Sequence, residues 1–254
     1  MTNNPKISII TVVFNGREFI FSAIESVLSQ TYKNIEYIVV DGSSTDGTID
    51  IIKKYSDRIS KFISEKDSGL YDAMNKGIRL TTGDIVGILN ADDIYCDVDV
   101  IKNVVEEFNQ SGADICFGNI YYVKKDDINK ITRTWQSCEY KEGLFQKGWH
   151  PPHPAFFVKK SIYDKYGVFR TDMRLAADYE LMLRFLEKNK VKSVFLDKFL
   201  VKMREGGESN FKNLGKVIFG NKESLRAWKV NNLKINPLIF FLKPIRKLSQ
   251  LFFR

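Results

Sequence analysis

Apolar and polar positions alternate between two rhythms along the first half of the chain. Residues 6–14 form a continuous β-branched run, too short for a helix and closed by Asn15-Gly16, the pattern of a buried strand entering a loop. Phe19, Ile20, Ala23, Ile24, Val27 and Leu28 then recur with helical period over residues 17–28. Residues 37–40 repeat the buried-strand pattern and stop at Asp41-Gly42-Ser43-Ser44, after which Thr45 or Asp46 supplies a cap for a helix reaching Tyr55. A third strand is expected over residues 59–64 and a helix over 68–80. A fourth strand over 85–89 runs into Asn90-Ala91-Asp92-Asp93.

After a helix at 97–110 the pattern changes. Residues 115–123 and 130–135 read as a hairpin, followed by a loop rich in Gly, Pro and His, and residues 155–158 return to the sheet. Helices are expected at 161–166 and 177–188 and a strand at 193–203. Strands alternating with helices predict an α/β fold, a single doubly wound and mostly parallel sheet with a small antiparallel hairpin. No internal repeat and no Pro/Gly/Ser linker divides the chain, so residues 1–205 read as one continuous domain. Ligands of such sheets gather outside the carboxyl ends of the strands. The polar clusters at Asn15, Asp41 and Asn90 to Asp93 all lie at such ends.

Two adjacent carboxylates at the exit of a buried strand repel each other unless solvated or neutralised by a cation. Asp92 and Asp93 therefore fit a hard divalent ion shared with phosphate oxygens, or else a loop that caps the next helix through Asp93 or Asp97. Asp41 can accept hydrogen bonds from a base or ribose, with Gly42 and Gly47 allowing close backbone approach, or can belong to an ordinary strand-to-helix loop. Neither G-x-G-x-x-G nor G-x-x-x-x-G-K-[ST] occurs, which disfavours a dinucleotide fold and a P-loop. Asp178, in Leu175-Ala-Ala-Asp178-Tyr-Glu-Leu-Met, opens a helix. It reads either as a general base or as a helix N-cap, with Glu180 a weaker rival. His150 and His153 sit in a Pro-locked loop without helical metal-site spacing.

Ile9-Ile-Thr-Val-Val-Phe-Asn15, Val39-Val-Asp-Gly-Ser-Ser-Thr-Asp-Gly-Thr48, Gly69-Leu-Tyr-Asp-Ala-Met-Asn75-Lys-Gly77 and Leu89-Asn-Ala-Asp-Asp93 together resemble the successive signatures of family 2 glycosyltransferases. The similarity extends in order to about Gly206 and is greatest to bacterial enzymes that extend O-antigen, capsule or exopolysaccharide (lipopolysaccharide-type) repeat units. It implies a GT-A fold, in which residues 1–93 bind the nucleotide-sugar donor and 94–205 shape the acceptor site. By position, the resemblance implies that Thr11 and Phe14 line a uracil pocket, that Asp41 pairs with the base and that Asn75 holds the nucleotide. Asp92 and Asp93 become the motif for Mn²⁺ or Mg²⁺ and ribose, and Asp178 the base of an inverting hexosyl transfer from a UDP-sugar. Asn90 departs from the family pattern, where an Asp often stands. His153 is implied to face the metal or diphosphate, or to brace its loop. Residues 204–209 form a Gly-bearing lid or a connector.

Charge changes the picture only at the C-terminus. The chain of 254 residues carries a formal net charge of +8, but residues 226–254 hold seven basic residues and no acidic one, and without them 32 basic residues face 31 acidic. A near-neutral body with an acidic pocket argues against nucleic acid as partner. A sugar-nucleotidyltransferase is disfavoured because Val13-Phe-Asn-Gly-Arg17 is a poor match to the basic, Gly-rich loop such an enzyme carries after its first strand. Residues 237–254 place Phe241, Ile245, Leu248 and Phe252 opposite Lys243, Arg246, Lys247 and Arg254, the pattern of a helix lying on an anionic membrane or packed on protein. The three scattered cysteines argue against a disulfide framework, and no run reaches the roughly 20 apolar residues of a spanning helix. The N-terminus has no signal-peptide pattern. The expectation is a cytoplasmic enzyme, peripheral on the inner membrane face, acting on a polyprenyl-diphosphate-linked sugar acceptor.

Overall fold

The computed structural model describes residues 4–206 and 214–236. In chain order the elements are β1 (Ile7–Val13), α1 (Ile20–Leu28), β2 (Ile35–Asp41), α2 (Thr48–Lys53), β3 (Lys61–Ser64), α3 (Leu70–Leu80), β4 (Ile85–Ile88), β5 (Ile94–Tyr95), α4 (Val100–Ser111) and β6 (Ile115–Val123). They continue with β7 (Ile131–Trp135), β8 (Phe156–Lys159), α5 (Lys160–Tyr166), α6 (Ala177–Met182), β9 (Ser193–Arg204) and α7 (Leu214–Val230). The tail helix expected over 237–254 lies outside the described residues, as do residues 207–209 of the expected lid.

The strands join in one sheet of order β3-β2-β1-β4-β8-β6-β9-β5, with β7 paired to β6. β1, β2, β3 and β4 are parallel. β8 runs antiparallel to both β4 and β6, so β6 and its parallel neighbour β9 point the same way as β1 to β4. This mixed topology has one consequence for function. The carboxyl ends of β1, β2, β4, β6 and β9 and the start of β8 all lie along one edge of the sheet. Asn15, Asp41, Asn90, Tyr122, His153 and Arg204 therefore share that edge although they span almost 200 residues of chain.

Both faces of the sheet are covered. Ile10, Val12, Ile38, Val40, Val86 and Ile88 pack with residues of α3, α5, α6 and α7. Ile7, Ile9, Val13, Tyr37, Val39 and Ile85 pack with residues of α1, α2 and α4. The continuous apolar runs of the sequence follow from this two-sided burial. α3 lies close on the sheet: a Cβ at Gly77 would stand 2.4 Å from the side chain of Ile10. Among the described residues no helix is long and apolar enough to cross a membrane.

The differences from expectation are local. α1 begins at Ile20 because residues 17–19 form a turn whose Phe19 and Ile20 N–H groups both bond the Gly16 carbonyl. Gly47, with φ of 93°, is the N-cap residue of α2, and Asp46 carries the cap from one position earlier by accepting the Thr48 N–H at 3.0 Å. The helix over 177–188 forms, but its second half, Leu183–Lys188, widens to a π-helical turn. β5 is only two residues long, too short to show a period, and α7 lacks a single apolar stripe. Ile218 and Phe219 of α7 are exposed while Ala227 and Trp228 are buried.

Candidate active site

The first cluster is built where β1 and β2 end. Asp41 is fully buried; its Oδ2 accepts the Ser44 N–H at 3.0 Å and the Ser64 hydroxyl at 2.6 Å. Its Oδ1 is buried without a hydrogen-bond partner, a costly state that a donor group on a ligand would relieve. The adjoining loops are stitched together: Asn15 N–H bonds Ser44 Oγ at 2.8 Å and Asn15 Oδ1 accepts the Thr45 N–H at 2.9 Å. Asn15 and Ser43 both hold left-handed backbone, with φ of 48° and 66°, a strain seen chiefly where surrounding structure imposes it. Gly42 lies against Asp67, whose Oδ2 would be 2.5 Å from a Cβ built there. Phe14 stands beside Gly42 with its ring 66% exposed, an apolar face open to a planar ligand.

Two residues expected in this pocket lie elsewhere. Strand alternation turns Thr11 toward the α1, α2 and α4 side, where it is fully buried and accepts the Tyr37 hydroxyl at 3.0 Å. Its side chain belongs to the core. Asn75 sits on the buried face of α3, and its amide donates to the Phe169 carbonyl at 2.8 Å while accepting the Phe169 N–H at 2.9 Å. Both polar ends are engaged with Phe169, so Asn75 braces the segment before α6.

The second cluster follows β4. Asn90 donates its amide N–H to Asp93 Oδ2 at 3.1 Å, and the Asp93 N–H returns to the Asn90 carbonyl at 3.1 Å. Asp93 is 1% exposed. Burial, and after it the charge of Asp92, pushes its carboxyl well above the usual carboxylate range against the pull of Asn90 and Arg204. Asp92 is only partly buried; burial raises it too, with Arg204 opposing. Arg204, at the end of β9, donates to the Asp92 carbonyl at 2.5 Å and to Ser22 Oγ at 3.1 Å, and lies 4.8 Å over the Phe19 ring. Among the described residues no group of three or more His, Cys, Asp or Glu could hold a metal. The donor set fits a hard cation held by one or two carboxylates and otherwise by substrate phosphate oxygens. Asp93 Oδ1 and Asn90 Oδ1 are buried without partners, and Asp92 is the carboxylate of the pair that solvent reaches.

The third cluster centres on Asp178. The N-cap of α6 is Ala176, which has no side-chain cap, and Asp178 falls in the first turn. The capping alternative therefore does not hold. Asp178 Oδ1 accepts the Tyr71 hydroxyl at 3.1 Å and the Tyr179 N–H at 2.8 Å. Both bonds fall on one oxygen of a partly exposed carboxylate. Glu180 is excluded as a rival: it is buried and bonded to Arg184 at 3.0 and 3.1 Å and to Asn231 at 2.9 Å.

Tyr122, at the end of β6, links the second and third clusters. Burial pushes its phenol up to about 12, the nearby Arg133 opposes, and the charges of Asp93 and Asp178 both add to the rise. Arg133 lies 3.7 Å over the Tyr122 ring. The two histidines divide: His153 sets its ring edge-on to Phe169 at 5.4 Å, and burial lowers its basicity against the pull of Asp178. His150 braces the loop, with Nδ1 3.0 Å from the Pro151 carbonyl and its ring against Trp135 and Tyr179. Tyr71, Tyr122, Arg204 and Glu223 were not assigned site roles from sequence. Tyr71 had a signal in the Gly69-to-Gly77 motif, and Arg204 opened the expected 204–209 lid or connector but is the last residue of β9.

Residues 8–167 match the model of glycosyl transferase family 2. An uncharacterized glycosyltransferase of Mycobacterium tuberculosis is 31% identical over 186 residues, covering 72% of this chain and 70% of the relative. Glycosyltransferase GlyA of Streptococcus pneumoniae is 32% identical over 171 residues, 66% of this chain but 22% of that larger protein. Among solved structures, S. aureus TarS in complex with UDP-GlcNAc superposes with a TM-score of 0.69 at 15% identity, over 96% of this chain and 73% of that one. The mannosyltransferase PcManGT from Pyrobaculum calidifontis, in complex with GDP-Man and Mn²⁺, gives 0.66 at 19% identity, over 98% and 70%. The fold is that of GT-A glycosyltransferases. With its motifs at the carboxyl edge of the sheet, the chain belongs to glycosyl transferase family 2 and is a glycosyltransferase.

Proposed function

We propose that this enzyme is an inverting, metal-assisted hexosyltransferase that uses a UDP-sugar and an acceptor glycan carried on a polyprenyl diphosphate, in bacterial surface-polysaccharide synthesis. The observation that carries the reading is the state of Asp178, a partly exposed carboxylate at a helix start that it does not cap, fixed by Tyr71 on one oxygen. The other Asp178 oxygen is left to take the proton of an acceptor hydroxyl as the hydroxyl oxygen attacks the anomeric carbon and the nucleoside diphosphate departs. Direct attack from the side opposite the leaving group inverts the anomeric centre.

The unpartnered Asp41 Oδ1 supplies an acceptor for an imino N–H of the base, and the exposed Phe14 ring lies beside it. Mn²⁺ or Mg²⁺, held by Asp92 next to Asp93, would supply Lewis-acid charge at the departing diphosphate. Burial favours the neutral forms of His153 and Tyr122, both of which feel the Asp178 charge, so neither adds a competing charge. For the membrane, support comes from the basic, apolar sequence of residues 237–254 and from exposed Ile218 and Phe219 on α7, the helix that precedes it. This reading locates the enzyme on the cytoplasmic face of the inner membrane.

The test is a screen of UDP-, GDP- and dTDP-sugars for hydrolysis and transfer, with and without EDTA. Turnover of a UDP-hexose that EDTA abolishes and Mn²⁺ or Mg²⁺ restores is the expected result. Full transfer in EDTA would remove the metal from the mechanism, and selective use of GDP-sugars would replace the uracil assignment.

A further inference from the structure

The helix that presents Asp178 begins without a cap of its own. The first N–H groups of a helix have no partner within it, and Ala176 has no side chain to supply one. The chain leading into the helix is held instead by Glu223, on α7, at the N-cap residue and the two residues before it. Its carboxylate takes the Arg174 N–H at 2.7 Å, the Leu175 N–H at 2.7 Å and the Ala176 N–H at 3.0 Å, and the residue is 6% exposed. A buried carboxylate with three backbone donors at a helix N-terminus is favoured by both hydrogen bonds and the helix dipole.

α7 and Asn231, the residue after it, hold the same segment at further points. Trp228 Nε1–H donates to the Tyr179 hydroxyl at 2.9 Å and Asn231 Nδ2–H to Glu180 Oε1 at 2.9 Å. Arg226 donates to the Asp172 carbonyl at 2.8 Å. Contacts to residues 172, 174–176, 179 and 180 bracket Asp178 on both sides, and none of them touches Asp178 itself. The Glu223 charge is also felt by Tyr71, the residue that donates to Asp178.

We propose that Glu223 is a positioning residue for transfer: it fixes the backbone that aims Asp178, and so makes turnover depend on the docking of α7. The inference rests on Asp178 being the base. A misplacement of a reacting group by about 1 Å can cost roughly 10²-fold in rate, so the effect belongs to turnover and not to donor binding.

The experiment is a double-mutant cycle in the full chain, with transfer kinetics and nucleotide affinity measured for Glu223→Ala, Glu223→Gln, Asp178→Asn and Glu223→Ala/Asp178→Asn. Glu223→Ala is expected to lower kcat by about 10- to 100-fold with nucleotide affinity unchanged. Glu223→Gln keeps one acceptor oxygen and is expected to recover most of that loss. Adding Glu223→Ala to Asp178→Asn should cost little more, because a residue acting through another has nothing left to act on. Multiplicative losses, wild-type kcat in Glu223→Ala, or an equal fall in nucleotide affinity would overturn the proposal. Should Glu223→Ala fail to fold, Glu223→Gln decides, with several-fold lower kcat at unchanged affinity expected and wild-type kcat contrary. Substantial transfer by Asp178→Asn would instead refute the base assignment on which the inference rests.

Discussion

The Tyr71 hydroxyl donates to Asp178 Oδ1 at 3.1 Å across 107 residues of chain, joining the first turn of α3 to the first turn of α6. Tyr71 is buried and stacks on Phe169 at 5.6 Å, so its ring is held independently of the hydrogen bond. Burial first, and then the Asp178 charge, keeps its phenol protonated well above the ordinary tyrosine range. It is a permanent donor at neutral pH.

Tyr71→Phe preserves the ring packing and deletes that donor. Turnover is expected to fall roughly tenfold, about 1.4 kcal/mol, with thermal stability and nucleotide affinity near wild type. Steady-state transfer kinetics beside a melting curve and a nucleotide titration checks this; an unchanged kcat would mean that the bond does not aim the carboxylate.

Asp41→Asn tests the donor pocket. An Asn can orient its oxygen to keep the Ser44 and Ser64 bonds, which turns its NH₂ toward the position of the unpartnered Oδ1. An imino N–H on the base then meets a donor in place of an acceptor. UDP affinity measured by calorimetry is expected to drop about 10- to 100-fold, the scale of a charge-assisted hydrogen bond, with little change in melting temperature. Unaltered UDP binding would detach Asp41 from base recognition.

These two residues mark how far the sequence could be read. The strand and helix order was legible because two-sided burial writes continuous apolar runs and helical packing writes a 3.6-residue period. Asp41, Asp92 and Asp93 stood out as carboxylates at strand exits, whereas Asp178, at a helix start where Asp is common, was singled out by the family resemblance. What each side chain bonds was not legible. Thr11 and Asn75 occupy motif positions, but the face of β1 and the buried side of α3 gave them to Tyr37 and Phe169. Glu223 lies 47–49 residues from the N–H groups it holds, a partnership with no local sequence pattern.

Away from the site, Glu36 sets a pH dependence of stability. It is 7% exposed and accepts Ser8 Oγ at 2.6 Å, Thr82 N–H at 2.7 Å, Thr82 Oγ1 at 2.8 Å and Lys61 Nζ at 3.0 Å, joining β1, β2, β3 and the loop before β4. Burial works to raise the carboxyl, but the bonds from Ser8, Thr82 and Lys61 outweigh it and hold the value down at about 2, against 4.5 for the free group. A depressed folded-state value means that this stabilisation is present above pH 4.5 and is lost as pH falls toward 2. Glu36→Gln is expected to cost about 1–3 kcal/mol at pH 7 and progressively less at pH 3, read from urea melts at the two values. An equal loss at both would show that the charge of Glu36 carries none of the effect.

Asp178→Asn tests the central claim most directly. The substitution keeps size and the oxygen that accepts from Tyr71 and the Tyr179 N–H, and it removes basicity. The melting temperature and nucleotide affinity should match wild type while transfer falls roughly 10²- to 10⁴-fold, the scale of losing a general base. A folded Asp178→Asn enzyme that binds donor and transfers sugar within a few-fold of the wild-type rate would contradict the account.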